Sequence, residues 1–394
     1  MTLTFANCSI DADRHEFKRD QQPVHVEPQV LDILQLLATS GGQLVTRDRL
    51  IDEVWNGLIV SEATISARIN AARTAVGDNG KDQSIIKTIP RRGFQLVVPV
   101  KNTTEAATEP TSTIDQPHEI RFTTAPDGVQ IAYAQSGHGP PLMRAAHWIS
   151  HLEMDWNSPI WRPLLQRLGA RHRLIRYDQR GTALSGRDFP GKGIDEFVAD
   201  LKAVADAMKL DSFPIFAPSQ AAPVAIKFAA LYPDRVSKLV LLGGFAVGRA
   251  LRASSPGEAE EEVMLSLIRS GWGQHGSTLV QAFSSIFVPD ATTEQIKSFV
   301  EIQLKSATPD VAVRLRQLID RFDVSELLDQ VQAPTLVIHA AGDSVHPIDQ
   351  GRRLASGIPN ARFVMLDDAN HIQLPQRSSF EKMITEVESF LAHD

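Results

Sequence analysis

A single cysteine, Cys8, occurs in 394 residues. That excludes an internal disulfide framework, and without paired Cys or Cys/His spacings no structural zinc site is indicated. No apolar run approaches the roughly 20 residues that a bilayer-spanning helix needs; the longest, such as Leu239 to Leu242 with its neighbours, are strand-sized. Met1 to Asp11 lack the basic segment and apolar core of a secretory signal. A cytoplasmic location without a membrane partner is therefore expected. Positive charge is also scarce: 40 Lys and Arg against 47 Asp and Glu give a net charge of −7, which argues against nonspecific nucleic-acid binding by the whole surface. No internal repeat stands out, and no motif calls for a metal or cofactor.

What is present is an ordinary globular composition, 43% hydrophobic and 22% charged, which excludes a fibrous or disordered chain. The length exceeds what one core usually organises, so two domains are expected. The stretch KNTTEAATEPTSTIDQPHE, from Lys101, is nearly free of large apolar residues and cannot order itself by burial. It divides the chain into residues 1–100, a linker at 101–118, and residues 119–394.

In the first segment, Val30, Leu31, Ile33, Leu34 and Leu37 recur at helical spacing between Pro28 and Ala38, and Thr46 precedes a second helix, Arg47 to Trp55. A third opens at Ser61, with Ile65, Ile69, Ala72 and Val76 forming the stripe that must face the core. Its other face carries Ala63, Thr64, Ala67 and Ala71, flanked by Arg68 and Asn70. Small residues there let a helix lie deep in a major groove while longer side chains reach bases and phosphates. Ser84 to Thr88 and Phe94 to Val98 read as a hairpin turning at Pro90-Arg91-Arg92-Gly93. The local charge supports this surface: from Ser61 to Lys101 seven basic residues face three acidic ones.

SEATISARINAARTAVGD followed by IIKTIPRRGFQLV resembles the recognition helix and wing of an OmpR-type winged-helix domain, over about the first quarter of the chain. The resemblance implies binding of double-stranded DNA through Thr64, Arg68, Asn70 and Arg73 on the helix and Arg91 and Arg92 on the wing. The helix is less basic than is common in that family, so a homodimer is expected to supply affinity through paired half-sites.

Beyond Glu119, eight strand-like runs (IRFTT, VQIAYAQ, PLMRAAH, HRLIRYD, FPIFAPS, KLVLLGG, PTLVIHA and RFVMLDD) mostly alternate with helical patterns. This order fits a mostly parallel α/β-hydrolase sheet. Phe213 to Ala217 is an apolar strand, Ser219 sits at its end and Ala221 to Ala230 is a small-residue helix, which resembles a nucleophile elbow. The usual G-x-S-x-G stands here as Ala217-Pro218-Ser219-Gln220-Ala221, with a methyl group added at each end of a crowded turn. Two later strands end in Ala341-Gly342-Asp343 and in Asp367-Asp368-Ala369-Asn370-His371. Singly, each residue would be a turn residue, a cap or an incidental histidine; Ser, Asp, His in this order form the triad expected of the fold. Asp343 would orient His371, His371 would deprotonate Ser219, and the backbone N–H groups of Gln220 and Trp148 would form the oxyanion hole. His147, His151 and His339 read as packing or hydrogen-bonded histidines, and Asp178 as a brace for the turn after its strand. Helical patterns at Glu258 to Arg269, Thr293 to Lys305 and Ala312 to Arg321 suggest a lid over Ser219 at about 248–329. Trp272, Phe283, Phe287 and Phe299 would pack it or line an apolar pocket.

The segment AAHWISHLEMDW, with RHRLIRYDQRGTALSG and PSQAAPVAIKFAALYPDRVSKLVLLGG, is similar to the α/β-hydrolase domains that bacteria attach to regulator or cyclase modules. This implies a small-molecule sensor coupled to DNA binding. An active serine hydrolase of an ester or lactone, with accessory DNA binding, is the alternative that the triad keeps open.

Overall fold

The computed structural model describes residues 2–11, 16–20, 22–24, 26–55, 60–90, 92–103, 119–189, 191–252, 258–272 and 277–392. It divides into two compact units, Met1–Thr111 and Ser112–Asp394. Among the described residues no helix is long and apolar enough to cross a membrane.

The first unit begins with β1 (Thr2–Phe5), β2 (Cys8–Asp11), β3 (Glu16–Arg19) and β4 (Gln22–Pro23). It continues through α1 (Pro28–Thr39), β5 (Val45–Thr46), α2 (Arg47–Trp55) and α3 (Glu62–Val76). It closes with β6 (Ile86–Ile89), β7 (Gly93–Leu96) and β8 (Val100–Thr103). The apolar periodicity of α1 and α3 meets in one core: Ile33, Leu34, Leu37, Ile65, Ile69 and Val76 are all buried. Ser61 caps α3 by accepting from the Thr64 N–H, and Gly77 ends it at φ 78°. The wing is the β6–β7 hairpin, with β5 as its third strand. Gly93 has φ +149° and lies so near Val45 that a Cβ would come within 2.0 Å of the Val45 carbonyl oxygen. Only glycine can pass there.

The boundary expected at residue 100 moves. Val100–Thr103 pairs antiparallel with β1, so the first three residues assigned to the linker, 101–103, are strand. Without them β1 would leave one row of backbone groups unpaired. The first wing strand also starts later than expected, at Ile86, and the N–H groups of Ser84, Ile85 and Ile86 all donate to the Asp78 carboxylate.

The second unit is an eight-stranded sheet in the order β16-β15-β14-β13-β11-β12-β10-β9. These strands are β9 (Arg121–Thr124), β10 (Gln130–Ser136), β11 (Pro141–Arg144), β12 (Arg173–Tyr177), β13 (Phe213–Pro218), β14 (Val236–Leu242), β15 (Thr335–Ala340) and β16 (Arg362–Leu366). Each coincides with one of the eight runs read from sequence. Strands β11 to β16 are parallel; β10 runs against them, and β9, antiparallel to β10, returns to their direction. The connecting helices are α4 (Leu152–Asn157), α5 (Trp161–Gly169), α6 (Ile194–Ala207) and α7 (Ala221–Leu231). Between β14 and β15 come α8 (Glu258–Gly271), α9 (Thr278–Phe287), α10 (Thr293–Ser306) and α11 (Pro309–Ile319), with α12 (Ile348–Gly357) and α13 (Ser378–Ala392) completing the unit. Helix α9 is an addition to the three lid helices expected. Its apolar run TLVQAFSSIF offered no wide polar face to mark it as a surface helix. The strand order reverses between β13 and β11, which opens a crevice at their carboxyl ends, the usual place for a ligand in an open parallel sheet.

Candidate active site and nucleic-acid interface

On α3 the candidate face is presented as expected at Ala63, Ala67 and Asn70, which are exposed, and at Thr64, which is half-buried. Two arginines depart from expectation. Arg73 is buried, only 5% exposed. Its guanidinium donates to the Ile86 carbonyl oxygen from Nε (3.1 Å) and Nη2 (3.0 Å) and to Thr88 Oγ1 at 2.7 Å. The assignment of Arg73 to DNA is therefore corrected: its side chain ties α3 to β6 and does not reach a solvent face. Arg68 is half-buried and already bound to Glu27 and, at 3.2 Å, to Gln29 Oε1. Arg92, after the Ile89 turn, is exposed; Arg91 lies outside the described residues.

In the second unit, β13, β15 and β16 each end in a loop that delivers one side chain to a common point. Ser219 Oγ–H donates to His371 Nε2 at 2.8 Å, and His371 Nδ1–H donates to Asp343 Oδ2 at 2.7 Å. The tautomer follows from the partners, since a carboxylate only accepts. Asp343 Oδ1 accepts from the backbone N–H groups of Val345 (2.8 Å) and His346 (3.0 Å). Burial alone would raise this carboxyl, but the neighbouring His371 ring, its hydrogen bond and the His346 N–H hold it below the usual carboxylate range. His371 is fixed from several sides. Its backbone N–H donates to the Phe287 carbonyl oxygen at 2.9 Å, its ring meets Phe287 and His346 edge-on, and Gly243 leaves it room. A Cβ on Gly243, whose φ is +58°, would approach His371 Cε1 to 3.2 Å.

Ser219 itself adopts φ 55°, a left-handed conformation that costs an ordinary residue roughly 1–2 kcal/mol. Such local strain, held by the surrounding sheet, aims the hydroxyl out of the strand end. The two elbow alanines, both fully buried, leave this geometry intact. Beside the elbow, Gly244, two residues past β14, makes room for Ala222, whose Cβ would lie 2.3 Å from any Cβ on Gly244. The backbone N–H groups of Gln220, at the start of α7, and of Trp148, in the loop after β11, have no backbone acceptor among the described residues. The Trp148 indole is held by the lid, donating Nε1–H to Gln303 Oε1 at 3.3 Å, while Gln303 Nε2–H donates to Ser284 Oγ at 2.8 Å. Trp148 thus bridges the crevice loop to α9 and α10.

A narrow, mostly apolar cavity lies over Ser219 and His371. Phe287 and Phe299 of the lid line it as anticipated; Trp272 and Phe283 instead pack against Trp148. Sequence reasoning missed Trp161 and Gln373 on its wall; His147, read as a packing or hydrogen-bonded histidine, meets Trp161 edge-on and lines the cavity as well. Only the nearness of Gln373 to His371 could have suggested one of them. The remaining residues singled out are structural. His151 caps α4, His339 Nε2–H donates to the His346 carbonyl oxygen at 2.8 Å, and Asp178 accepts from the N–H groups of Leu152 and Leu184.

Fold and geometry together define an α/β-hydrolase domain joined to a winged-helix regulator domain. A family model described as alpha/beta hydrolase fold matches residues 149–377, and the chain belongs to that family. A second model, transcriptional regulatory protein, C terminal, matches residues 21–96. The N-terminal unit is accordingly an OmpR-type DNA-binding domain. Pyrrolizixenacetamide deacetylase of Xenorhabdus hominickii is 27% identical over 270 residues, 66% of this chain and 94% of that protein. The transcriptional activator CadC of Escherichia coli is 34% identical over 87 residues, 22% of this chain and 17% of that protein. Among solved structures, the enol-lactonase from Burkholderia xenovorans aligns with a TM-score of 0.55 at 20% identity, covering 69% of this chain and 100% of that one, a likeness of fold.

Proposed function

We propose that this protein is a one-component, homodimeric and cytoplasmic transcription regulator whose hydrolase domain takes up a small acyl compound, an ester or lactone, and cleaves it at Ser219. The observation that carries the reading is the continuous hydrogen-bonded chain Ser219–His371–Asp343 opening onto a cavity. In this chemistry Ser219 Oγ attacks the carbonyl carbon as its proton passes to His371 Nε2, and Asp343 stabilises the resulting imidazolium. The N–H groups of Gln220 and Trp148 receive the developing oxyanion. His371 then protonates the leaving alcohol, and a water deprotonated by His371 releases the acid. The relative named as a deacetylase supports cleavage of an acyl compound. Occupancy would act on DNA binding through the lid, provided that the two DNA-binding states differ in affinity for the ligand.

Fluorophosphonate labelling of the wild type, Ser219→Ala and His371→Ala tests the chemistry without a known substrate. Labelling of the wild type and of neither variant is expected. A folded wild type that resists labelling would leave a sensor that binds without turnover.

A further inference from the structure

Two buried polar side chains among the residues that line the cavity point to more than an acyl group. Gln373 is 5% exposed and lines the cavity. Its Nε2–H donates to the Asn370 carbonyl oxygen at 2.7 Å, which fixes the amide orientation, because only the nitrogen can donate. Gln373 Oε1 is left buried without a hydrogen-bond partner. His147, 4% exposed, lines the same cavity. Its Nε2 lies 3.4 Å from Arg144 Nη2, and a guanidinium only donates, so Nε2 is the accepting nitrogen and Nδ1 carries the hydrogen. That Nδ1 also lacks a partner. Burial, and then the Arg144 charge, hold this imidazole neutral by pushing it well below its ordinary value. Leaving either polar atom buried and unsatisfied is costly, of order 1–3 kcal/mol each.

Apart from Ser219 and His371 the rest of the wall is apolar, with four aromatic side chains, Trp148, Trp161, Phe287 and Phe299. Among the described residues no lysine or arginine lines it, and the Asp343 carboxylate stands behind His371. An anionic ligand would lose its hydration without gaining a cation.

We infer that the cavity selects an uncharged, aryl-bearing acyl compound that carries a hydroxyl or N–H donor for Gln373 Oε1 and an oxygen acceptor for His147 Nδ1–H. The inference rests on the cavity over Ser219 being the substrate site, as in the proposed function, but its test needs no turnover.

Three ketones without a leaving group serve as probes, titrated calorimetrically into the full-length wild type: 4-phenyl-2-butanone, its para-hydroxy analogue and its para-carboxylate analogue. The hydroxy compound is expected to bind about tenfold tighter than the parent, the scale of one buried hydrogen bond left unmade, and the carboxylate to bind more weakly than either. Gln373→Leu and, as a second variant of similar length, Gln373→Met should bring hydroxy and parent compounds to within about twofold of each other. A carboxylate that binds tightest, no binding by any of the three, or a hydroxyl preference untouched in both folded variants would overturn the inference. Failure of Ser219 labelling with these preferences intact would sink the hydrolytic chemistry alone.

Discussion

On α3, two arginines expected at a DNA surface are engaged by the protein itself: Arg73, buried, with Ile86 and Thr88, and Arg68, half-buried, with Glu27 and Gln29. At the ends of β13, β15 and β16, by contrast, all three residues singled out meet in one hydrogen-bonded chain. The difference lies in how side chains are positioned. Ser219, Asp343 and His371 have short side chains on loops whose directions the parallel sheet dictates, so their place in the strand order largely fixes where they go. An arginine on a helix has a long, flexible stem, and a position at the edge of the buried stripe lets it turn inward as readily as outward. Exposure is thus the harder property to read from a helical pattern, while convergence at a sheet end is the easier.

The largest effect that could break this comparison falls on the sheet side. On the proposed chemistry, Asp343→Asn should preserve the fold and lower kcat for an activated ester by about 10⁴-fold, because an amide that donates to His371 favours the wrong tautomer. Retention of activity within tenfold, measured with a p-nitrophenyl ester, would remove Asp343 from the mechanism. Gly243→Ala should cost less, about 10²-fold. Its methyl group would press on His371 from 3.2 Å and strain a φ of +58°. Its signature is a loss of kcat with fluorophosphonate labelling slowed but not abolished.

The eight strands of the second unit were legible because each is a short apolar run bounded by turn residues. The triad was legible because its order is tied to those strands. Helix α9 and the wall residues Trp161 and Gln373 were not, since nothing in local periodicity distinguishes a cavity wall from a core. The strand Val100–Thr103 was missed for a related reason: KNT has no hydrophobic alternation, and its pairing is set by the need of β1 for a partner. Arg73 could have been read correctly only from the Ile86 carbonyl that it satisfies, a partner 13 residues away.

Two substitutions separate inward from outward arginines in the first unit. Arg73→Ala leaves the Ile86 carbonyl oxygen without its donor, and a loss of about 2–3 kcal/mol in the stability of the N-terminal unit is expected, with DNA affinity falling only as far as unfolding requires. Arg92→Ala should leave the melting transition unchanged while lowering affinity for a DNA fragment selected by the wild type from a random pool. The logarithmic salt dependence should also become shallower by about one unit for each phosphate that the variant no longer neutralises. Equal melting temperatures for wild type and Arg73→Ala would contradict the inward role.

The smallest predicted effect concerns Asp78, which completes the same junction from the other side. Its carboxylate accepts from the N–H groups of Asn79, Ser84, Ile85 and Ile86. Burial works against ionisation there, yet those backbone donors bring its pKa down to about 2. Because the folded value lies below the unfolded one of about 3.9, ionised Asp78 stabilises the fold. That contribution is complete above roughly pH 5 and drains away as the pH falls through about 2. Asp78→Asn should therefore cost about 1–2 kcal/mol at neutral pH, and its deficit relative to wild type should shrink between pH 4 and pH 2 in chemical-denaturation series. A deficit that stays constant over that range would mean that shape, and not charge, holds α3 to the wing.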